Sequence, residues 1–247
     1  YLFYPETNDF VVGSAADTLR KMYYSIIDLS LNAGLGDIID KDHLLFQKTS
    51  EKLVAIQHCN GRDWWVITVE SGTNRYFAWL LEESGIANNP VISAVGKVNG
   101  QISASKAGMI NSTIQGTKLV KVGSAVRSIG MPWSLDAYVE LLEFNPSTGL
   151  VSNPITLVEN LRLAYGAQFS PDGTKLYFNY WTPIKDSLYQ VDLCVYHPDS
   201  IRASKTTIAE SATNTGQFQL GPDGKIYVSC AYQPYISIIH NPNEKGL

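Results

Sequence analysis

The chain has 247 residues, a formal net charge of −4 and only 17% charged residues. This length fits one all-β domain, and an acidic balance without any basic block argues against electrostatic capture of nucleic acid. No apolar run approaches the roughly 20 residues that cross a bilayer as a helix, so we predict no transmembrane segment. The chain opens on YLFY without a start methionine, which indicates a processed or truncated N terminus.

Five strand segments recur along the chain and give its period. Each mixes β-branched, aromatic and leucine residues, and their starts lie roughly 50 residues apart, a spacing typical of β-propeller blades. In chain order they are Tyr23–Leu29, Phe77–Glu82, Val139–Asn145, Leu188–Leu193 and Ile236–Asn241.

A strand–turn–strand unit precedes most of these segments. Its clearest copy has strands at Ala167–Ser170 and Lys175–Tyr180 around Pro171-Asp172-Gly173, and a second copy turns at Pro222-Asp223-Gly224. Proline presets φ in such a turn and glycine accepts the positive φ that follows. We therefore interpret Asp172 and Asp223 as turn formers rather than ligands.

A turn and a short fourth strand follow most of the recurring segments; after Leu188–Leu193 the turn is predicted at His197-Pro198-Asp199-Ser200. The sequence therefore predicts an all-β fold, a β-propeller of four-stranded antiparallel blades. We name the strands A to D from the central channel outward. The first blade lacks strand A and the last stops after strand C, so we expect one domain over 1–247 that is incomplete at both ends, in a full ring of six to eight blades. The predicted blades are 1–48, 49–100, 101–158, 159–209 and 210–247.

The connections between strands B and C emerge on one face of a propeller, together with the D–A connections; we call it the B–C face. In three blades these connections carry aromatic residues beside prolines, which suits contacts with protein or glycan. The alternative is that the aromatic side chains pack between neighbouring blades. The candidate binding residues are Trp133, Tyr180, Trp181, Lys185, Tyr232 and Tyr235.

A second candidate site lies after the A strand of the second blade, where His58, Arg62 and Asp63 form a dense polar cluster. The end of this strand could present the three side chains at the channel mouth. The alternative is a cluster whose polar groups satisfy one another. A zinc site needs three or four ligands at defined spacing, and the sequence predicts no metal or other cofactor.

The remaining cysteine and tryptophan residues indicate structural roles. Cys59, Cys194 and Cys230 are odd in number and lack metal-type spacing, so we expect free thiols or at most one disulfide. Trp64, Trp65 and Trp79 lie within strands, where we expect core packing.

Four long blocks of the chain resemble the N-terminal propeller of large Bacteroidota surface proteins that are exported by type IX secretion and carry gliding-motility-associated or type B sorting domains. The blocks are Tyr23–Ile38, Ser50–Thr68, Val139–Leu157 and Tyr165–Tyr177. The resemblance implies a secreted or cell-surface location, and a sorting domain outside this sequence that engages the type IX secretion machinery. It implies no catalytic residues.

The sequence favours a non-enzymatic extracellular binding or structural module that contacts protein or polysaccharide through the B–C face. The alternative is a metal-dependent hydrolase or lactonase-type propeller with a site in the central channel. That site would need acidic or amide side chains from the D–A connections, where Asn160, Arg162 and Asn214 are the polar candidates. A lattice or adhesin component is a third hypothesis.

Overall fold

A computed structural model describes residues 1–6, 20–98, 108–123, 137–161, 163–181, 185–211, 215–231 and 233–246. Strands occupy most of these residues and form five antiparallel sheets that follow one another along the chain. We call the sheets blades 1 to 5. The innermost strands of blades 2 to 5 contact one another in sequence. The fold is that of a β-propeller, which confirms the predicted class.

Blades 1 and 2 differ in their number of strands. Blade 1 has three described strands, which occupy positions B, C and D: β1 (Leu2–Pro5), β2 (Met22–Asp28) and β3 (Asp37–Phe46), with a 3₁₀ turn at Asn32–Gly34. Blade 2 has all four positions filled, and a short extra strand also pairs with its third strand. Its strands are β4 (Thr49–Gln57), β5 (Trp64–Glu70), β6 (Arg75–Glu82), β7 (Gly85–Ile86) and β8 (Val91–Ala94).

Blades 3 and 4 are complete four-stranded sheets, whereas blade 5 has three described strands, at positions A, B and C. Blade 3 comprises β9 (Gly108–Ser112), β10 (Lys118–Gly123), β11 (Ala137–Asn145) and β12 (Leu150–Leu161). Blade 4 comprises β13 (Leu163–Phe169), β14 (Lys175–Trp181), β15 (Asp186–Asp192) and β16 (Thr206–Ser211). Blade 5 comprises β17 (Thr215–Leu220), β18 (Ile226–Cys230) and β19 (Ile236–Ile239).

The turn between β13 and β14 forms as the sequence predicts. Asp172 accepts hydrogen bonds from the Ser170 hydroxyl at 2.6 Å and from the Thr174 backbone N–H at 2.9 Å. Gly173 follows with φ +71°, a conformation that suits glycine. Hydrogen bonds from these neighbours lower the pKa of Asp172 although partial burial opposes them. This carboxylate therefore shapes the turn.

Apolar side chains fill the spaces between neighbouring blades. Trp65 and Ile67 of blade 2 pack with Leu142 of blade 3. Similar clusters join blade 3 to blade 4 and blade 4 to blade 5. Each strand alternates its side chains between the two faces of its sheet, so one blade supplies both interfaces. The core of this protein is therefore a series of layers between blades.

Three local expectations are wrong. A six-residue helix, α1 (Pro198–Ala203), replaces the turn expected after β15, because Pro198 presets a helical φ in the first turn and Ile201 is fully buried. Trp181 lies in β14, paired with Asp186, rather than in a loop. Trp65 and Trp79 are buried as expected, but Trp64 points to the opposite face of its strand and is 42% exposed.

Candidate binding face and groove

The described candidates for the B–C face lie at one end of blades 4 and 5. Tyr180 and Trp181 end β14, Lys185 immediately precedes β15, and Tyr235 immediately precedes β19. Trp133 and Tyr232 lie outside the described residues. The structure therefore places four of the six candidates on two adjacent blades.

Tyr180 packs within blade 4. Its ring stacks on Tyr189 with centroids 4.3 Å apart and an interplanar angle of 11°. The Lys205 ammonium donates to the Tyr180 hydroxyl at 3.1 Å and lies 4.9 Å from the centroid of the Tyr189 ring. Burial raises the pKa of Tyr189. The face of the Tyr180 ring thus packs on Tyr189, and its hydroxyl is hydrogen-bonded to Lys205.

Trp181 and Lys185 also have partners within the protein. Trp181 is half-buried and pairs across the sheet with Leu163 and Asp186. The Lys185 ammonium forms an ion pair with Glu210 at 2.5 Å. Tyr235 differs from them because it is 55% exposed. Of the four described candidates, Tyr235 presents the most accessible ring on this face.

A buried hydrogen-bond cluster joins blades 4 and 5 beside this face. Asp186 is 3% exposed and accepts hydrogen bonds from the Thr215 backbone N–H at 2.5 Å, the Thr215 hydroxyl at 2.7 Å and the Asn179 amide at 3.2 Å. The Asn179 side-chain oxygen Oδ1 accepts the Gly166 backbone N–H at 2.7 Å. The cluster holds the start of β17 against blade 4. Its role escaped the sequence analysis because these polar residues carry no motif.

A groove of about 490 Å³ runs between blades 4 and 5 from the B–C face toward the opposite face. Polar groups, among them Asp186, Glu210 and Thr215, line its end at the B–C face, and Tyr235 stands at that end. Leu188, Ile208 and Val228 line its walls, and β19 forms one side. The groove therefore has apolar walls and an acidic end.

The second candidate set lies in the β4–β5 turn, at the end of the propeller opposite the B–C face. Asp63 accepts hydrogen bonds from the Asn60 amide at 2.6 Å and Arg62 Nε at 3.1 Å, and both lower its pKa. The His58 Nδ1 atom accepts the Asn60 backbone N–H at 3.1 Å. These polar groups partner one another, and a role at the channel mouth stays a prediction.

The neighbouring contacts of this turn reach blade 3. The Cys59 N–H donates to the Pro146 carbonyl at 3.2 Å, and the Trp65 indole N–H donates to the same oxygen at 2.9 Å.

Of the polar candidates for a channel site, Asn160 lies in β12 with φ +58°, whereas Arg162 and Asn214 fall outside the described residues. The described residues contain no group of three or more His, Cys, Asp or Glu side chains that could hold a metal ion. Cys59, Cys194 and Cys230 are free thiols.

A second buried polar cluster lies between blades 2 and 3, near the B–C face. The Lys121 ammonium contacts the Glu140 carboxylate at 3.0 Å and donates to the Lys97 carbonyl at 2.7 Å. Burial, together with the nearby Lys121 charge, lowers the pKa of Lys52 to about 7. Burial also raises the pKa of Tyr76, whose ring centroid lies 5.0 Å from Lys121 Nζ. Sequence reasoning missed this cluster because lysine and glutamate usually face solvent.

Comparisons with known proteins support the fold alone. No protein-family model matches the chain, and no curated protein matches its sequence significantly. A candidate 6-phosphogluconolactonase from Bacteroides uniformis aligns over 95% of this chain and 67% of its own, with a TM-score of 0.56 and 14% identity. One from Bacteroides fragilis aligns over 95% and 66%, with a TM-score of 0.57 and 12% identity.

A third solved structure shows the same similarity of fold. A protein from Lactobacillus plantarum aligns over 91% of this chain and 64% of its own, with a TM-score of 0.55 and 11% identity. The chain thus spans about two thirds of the length of these three structures. Among the residues described here, none of the helices is long and apolar enough to span a membrane.

Proposed function

We propose that this chain is a non-enzymatic binding module of a secreted or cell-surface bacterial protein. It contacts a protein or polysaccharide partner through the B–C face of blades 4 and 5. The observation that carries the proposal is the open groove of about 490 Å³ beside the exposed ring of Tyr235. Concave apolar surfaces with a few polar groups are the usual form of binding sites.

The chemistry of this face suits recognition. Tyr235 supplies an accessible aromatic ring with a polar hydroxyl, a combination that is common where proteins bind partners. Glu210 and Thr215 add hydrogen-bonding groups at the same end of the groove. Asp186 and Asn179 tie the two blades together there, so the groove walls are held in place before a partner arrives.

The location and the export route are part of the proposal. They rest on the resemblance to type IX secretion propellers in four sequence blocks. The partner is accordingly a protein or polysaccharide of the cell surface, and a sorting domain outside these 247 residues engages the secretion machinery.

Binding to a panel of bacterial surface polysaccharides and purified surface proteins tests the proposal. We expect at least one saturable interaction that Tyr235→Ala weakens tenfold or more. Val195→Ala is the matched control, because Val195 is exposed but follows β15 at the opposite end of the propeller. Equal effects of the two substitutions, or no interaction with any member of the panel, would refute the proposed face.

A metal-dependent hydrolase is the second candidate function. The fold similarity to the two candidate 6-phosphogluconolactonases favours it. Hydrolysis of 6-phosphogluconolactone by the purified chain, with added divalent cations and after chelation, separates the two functions. Our proposal expects the spontaneous rate under both conditions. A chelator-sensitive acceleration would establish the hydrolase instead.

A further inference from the structure

We propose that a pocket between blades 3 and 4, at the end of the propeller opposite the B–C face, binds a neutral sugar unit. The pocket has a volume of about 500 Å³. Blade 3 contributes Lys118, Glu143 and Ser152 to its lining. Tyr196, which follows β15 of blade 4, lines it from the other side. Both blades are complete four-stranded sheets. This site is separate from the B–C face and goes beyond the proposed function.

The wall from blade 3 is a row of polar side chains at the end of an apolar layer. Lys118, Glu143 and Ser152 lie directly opposite one another on β10, β11 and β12, so their side chains share one face of the sheet. On the same face, Val120 and Leu141 belong to the apolar cluster between blades 3 and 4. The polar row therefore faces blade 4, where the apolar layer ends.

Lys118 and Glu143 are cross-strand neighbours of opposite charge, yet each contacts a different partner. The Lys118 ammonium lies 5.1 Å from the centroid of the Tyr196 ring, a cation–π contact. The Glu143 carboxylate accepts a hydrogen bond from the Asn153 amide at 2.7 Å. A carboxylate has about four acceptor sites, so Glu143 can accept further hydrogen bonds from a ligand in the pocket.

Tyr196 brings a buried hydroxyl to the facing wall. This hydroxyl is shielded from solvent, and nothing in the described part of the chain forms a hydrogen bond with it. Burial, together with the nearby Glu143 charge, raises the pKa of Tyr196 to about 12, so the hydroxyl keeps its proton at neutral pH. Most buried polar groups have a hydrogen-bond partner. A ligand oxygen in the pocket would supply one.

The combination of groups selects the class of ligand. Glu143 repels an anion and Lys118 repels a cation, so a neutral molecule is favoured. A hydroxyl both donates and accepts hydrogen bonds, so neighbouring hydroxyls of a sugar can donate to Glu143 and accept from Lys118 at the same time. The volume lies in the usual range for small-molecule sites. A neutral sugar unit therefore suits both the charges and the size of the pocket.

Contacts between blades hold both walls of the pocket in place. Pro146, which also lines it, accepts hydrogen bonds from the Cys59 N–H and the Trp65 indole of blade 2. On the side of Tyr196, Arg202 of α1 donates from Nε to the Thr156 carbonyl of β12 at 2.9 Å. A sugar would thus enter a site that is already formed, which lowers the entropic cost of binding.

The test follows backbone amide signals of the isotope-labelled chain by NMR during titration with the methyl glycosides of glucose, mannose, galactose and N-acetylglucosamine. We expect saturable binding of at least one glycoside at millimolar concentrations, with shifts at Glu143, Ser152 and Tyr196. Glu143→Leu removes the acceptor and should weaken this binding at least tenfold. Glu159→Leu is the matched control, because Glu159 is an exposed glutamate near the other end of blade 3.

Tyr196→Phe provides a milder variant that removes only the hydroxyl. It should weaken glycoside binding at least threefold. Tyr227→Phe is its control, because the Tyr227 hydroxyl bonds to Asp223 in blade 5 at 3.0 Å and does not line the pocket. The melting temperature of each variant shows whether it is folded, and Tyr196→Phe decides the test if Glu143→Leu is not.

Three outcomes would overturn the inference. They are the absence of glycoside binding, binding of glycine or inorganic phosphate at these residues in place of the glycosides, and equal effects of a pocket variant and its control. Glycoside-induced shifts at Tyr235 instead of the pocket would also overturn it, while the proposed function of the B–C face would stand.

Discussion

The Lys121 ammonium lies 3.0 Å from the Glu140 carboxylate, and both side chains are excluded from solvent between blades 2 and 3. Glu140 also accepts the Lys97 backbone N–H at 2.9 Å. The pair therefore ties the segment that leaves blade 2 to the sheet of blade 3. A buried charge that loses its partner is costly, since neither water nor another ion replaces it.

Glu140→Gln should lower the free energy of unfolding by about 3–5 kcal/mol, the usual result of breaking a buried ion pair. Urea unfolding at pH 7 measures this. Glu159→Gln is the control, because Glu159 pairs with Lys97 at the surface, where such pairs contribute about 0–1 kcal/mol. Similar losses in the two variants would contradict the importance of the buried pair.

Lys52 should make stability depend on pH. Its folded pKa of about 7 lies below the value of about 10.4 in an unfolded chain. Between these values the unfolded state binds the proton that the folded state has lost, so stability rises with pH, by at most ~1.4 kcal/mol per pH unit. Urea unfolding at pH 7, 8 and 9 should show a smaller slope for Lys52→Met than for the wild type. Lys48→Met, at an exposed position, should keep the wild-type slope; a reduced slope there too would count against Lys52 as the source.

Asp186→Asn should destabilise the contact between blades 4 and 5. The amide keeps one acceptor oxygen and places donors beside the Thr215 N–H and the Asn179 amide. We expect a loss of about 1–3 kcal/mol in the free energy of unfolding. Asp199→Asn, at an exposed site in α1, should change it by less than about 0.5 kcal/mol. An unaffected Asp186→Asn protein would show that this cluster is not needed for docking β17.

Trp181→Ala and Tyr235→Ala should separate packing from binding. Trp181 is half-buried within β14, so its truncation should lower the melting temperature by several degrees. Tyr235 is exposed, so its truncation should leave the melting temperature nearly unchanged while it weakens partner binding. Thermal unfolding combined with binding measurements tests both. A Trp181→Ala protein that keeps its melting temperature but binds the partner more weakly would show that Trp181 belongs to the binding face.

Local patterns predicted much of the fold because turns and strand alternation are specified mainly by residues that are neighbours in the sequence. The Pro171-Asp172-Gly173 turn is specified by its own φ preferences and hydrogen bonds, and it forms as expected. The repeat of strand segments predicted consecutive antiparallel sheets. Three features remain predictions: a single domain over 1–247, its incompleteness at both ends, and a full ring of six to eight blades.

The candidate site depended on information that local patterns lack. The sequence placed Trp181 in the connection between strands B and C, whereas its pairing with Asp186 extends β14 through Trp181. It marked Tyr180 as a surface aromatic, but Tyr189 and Lys205 come from segments that only the folded sheet brings to it. It gave no sign of the groove, which residues from blades 4 and 5 line together.

Alternation and turn chemistry act over a few residues, so the sequence alone predicted the β-propeller class, the Pro171-Asp172-Gly173 turn and the antiparallel order of strands. Which polar side chains are buried and which aromatic rings stay accessible depends on contacts between blades. Lys52, Lys121, Glu140 and Asp186 look like surface residues in the sequence. Their burial follows from the way neighbouring blades pack face to face, and this packing brings together residues far apart in the chain.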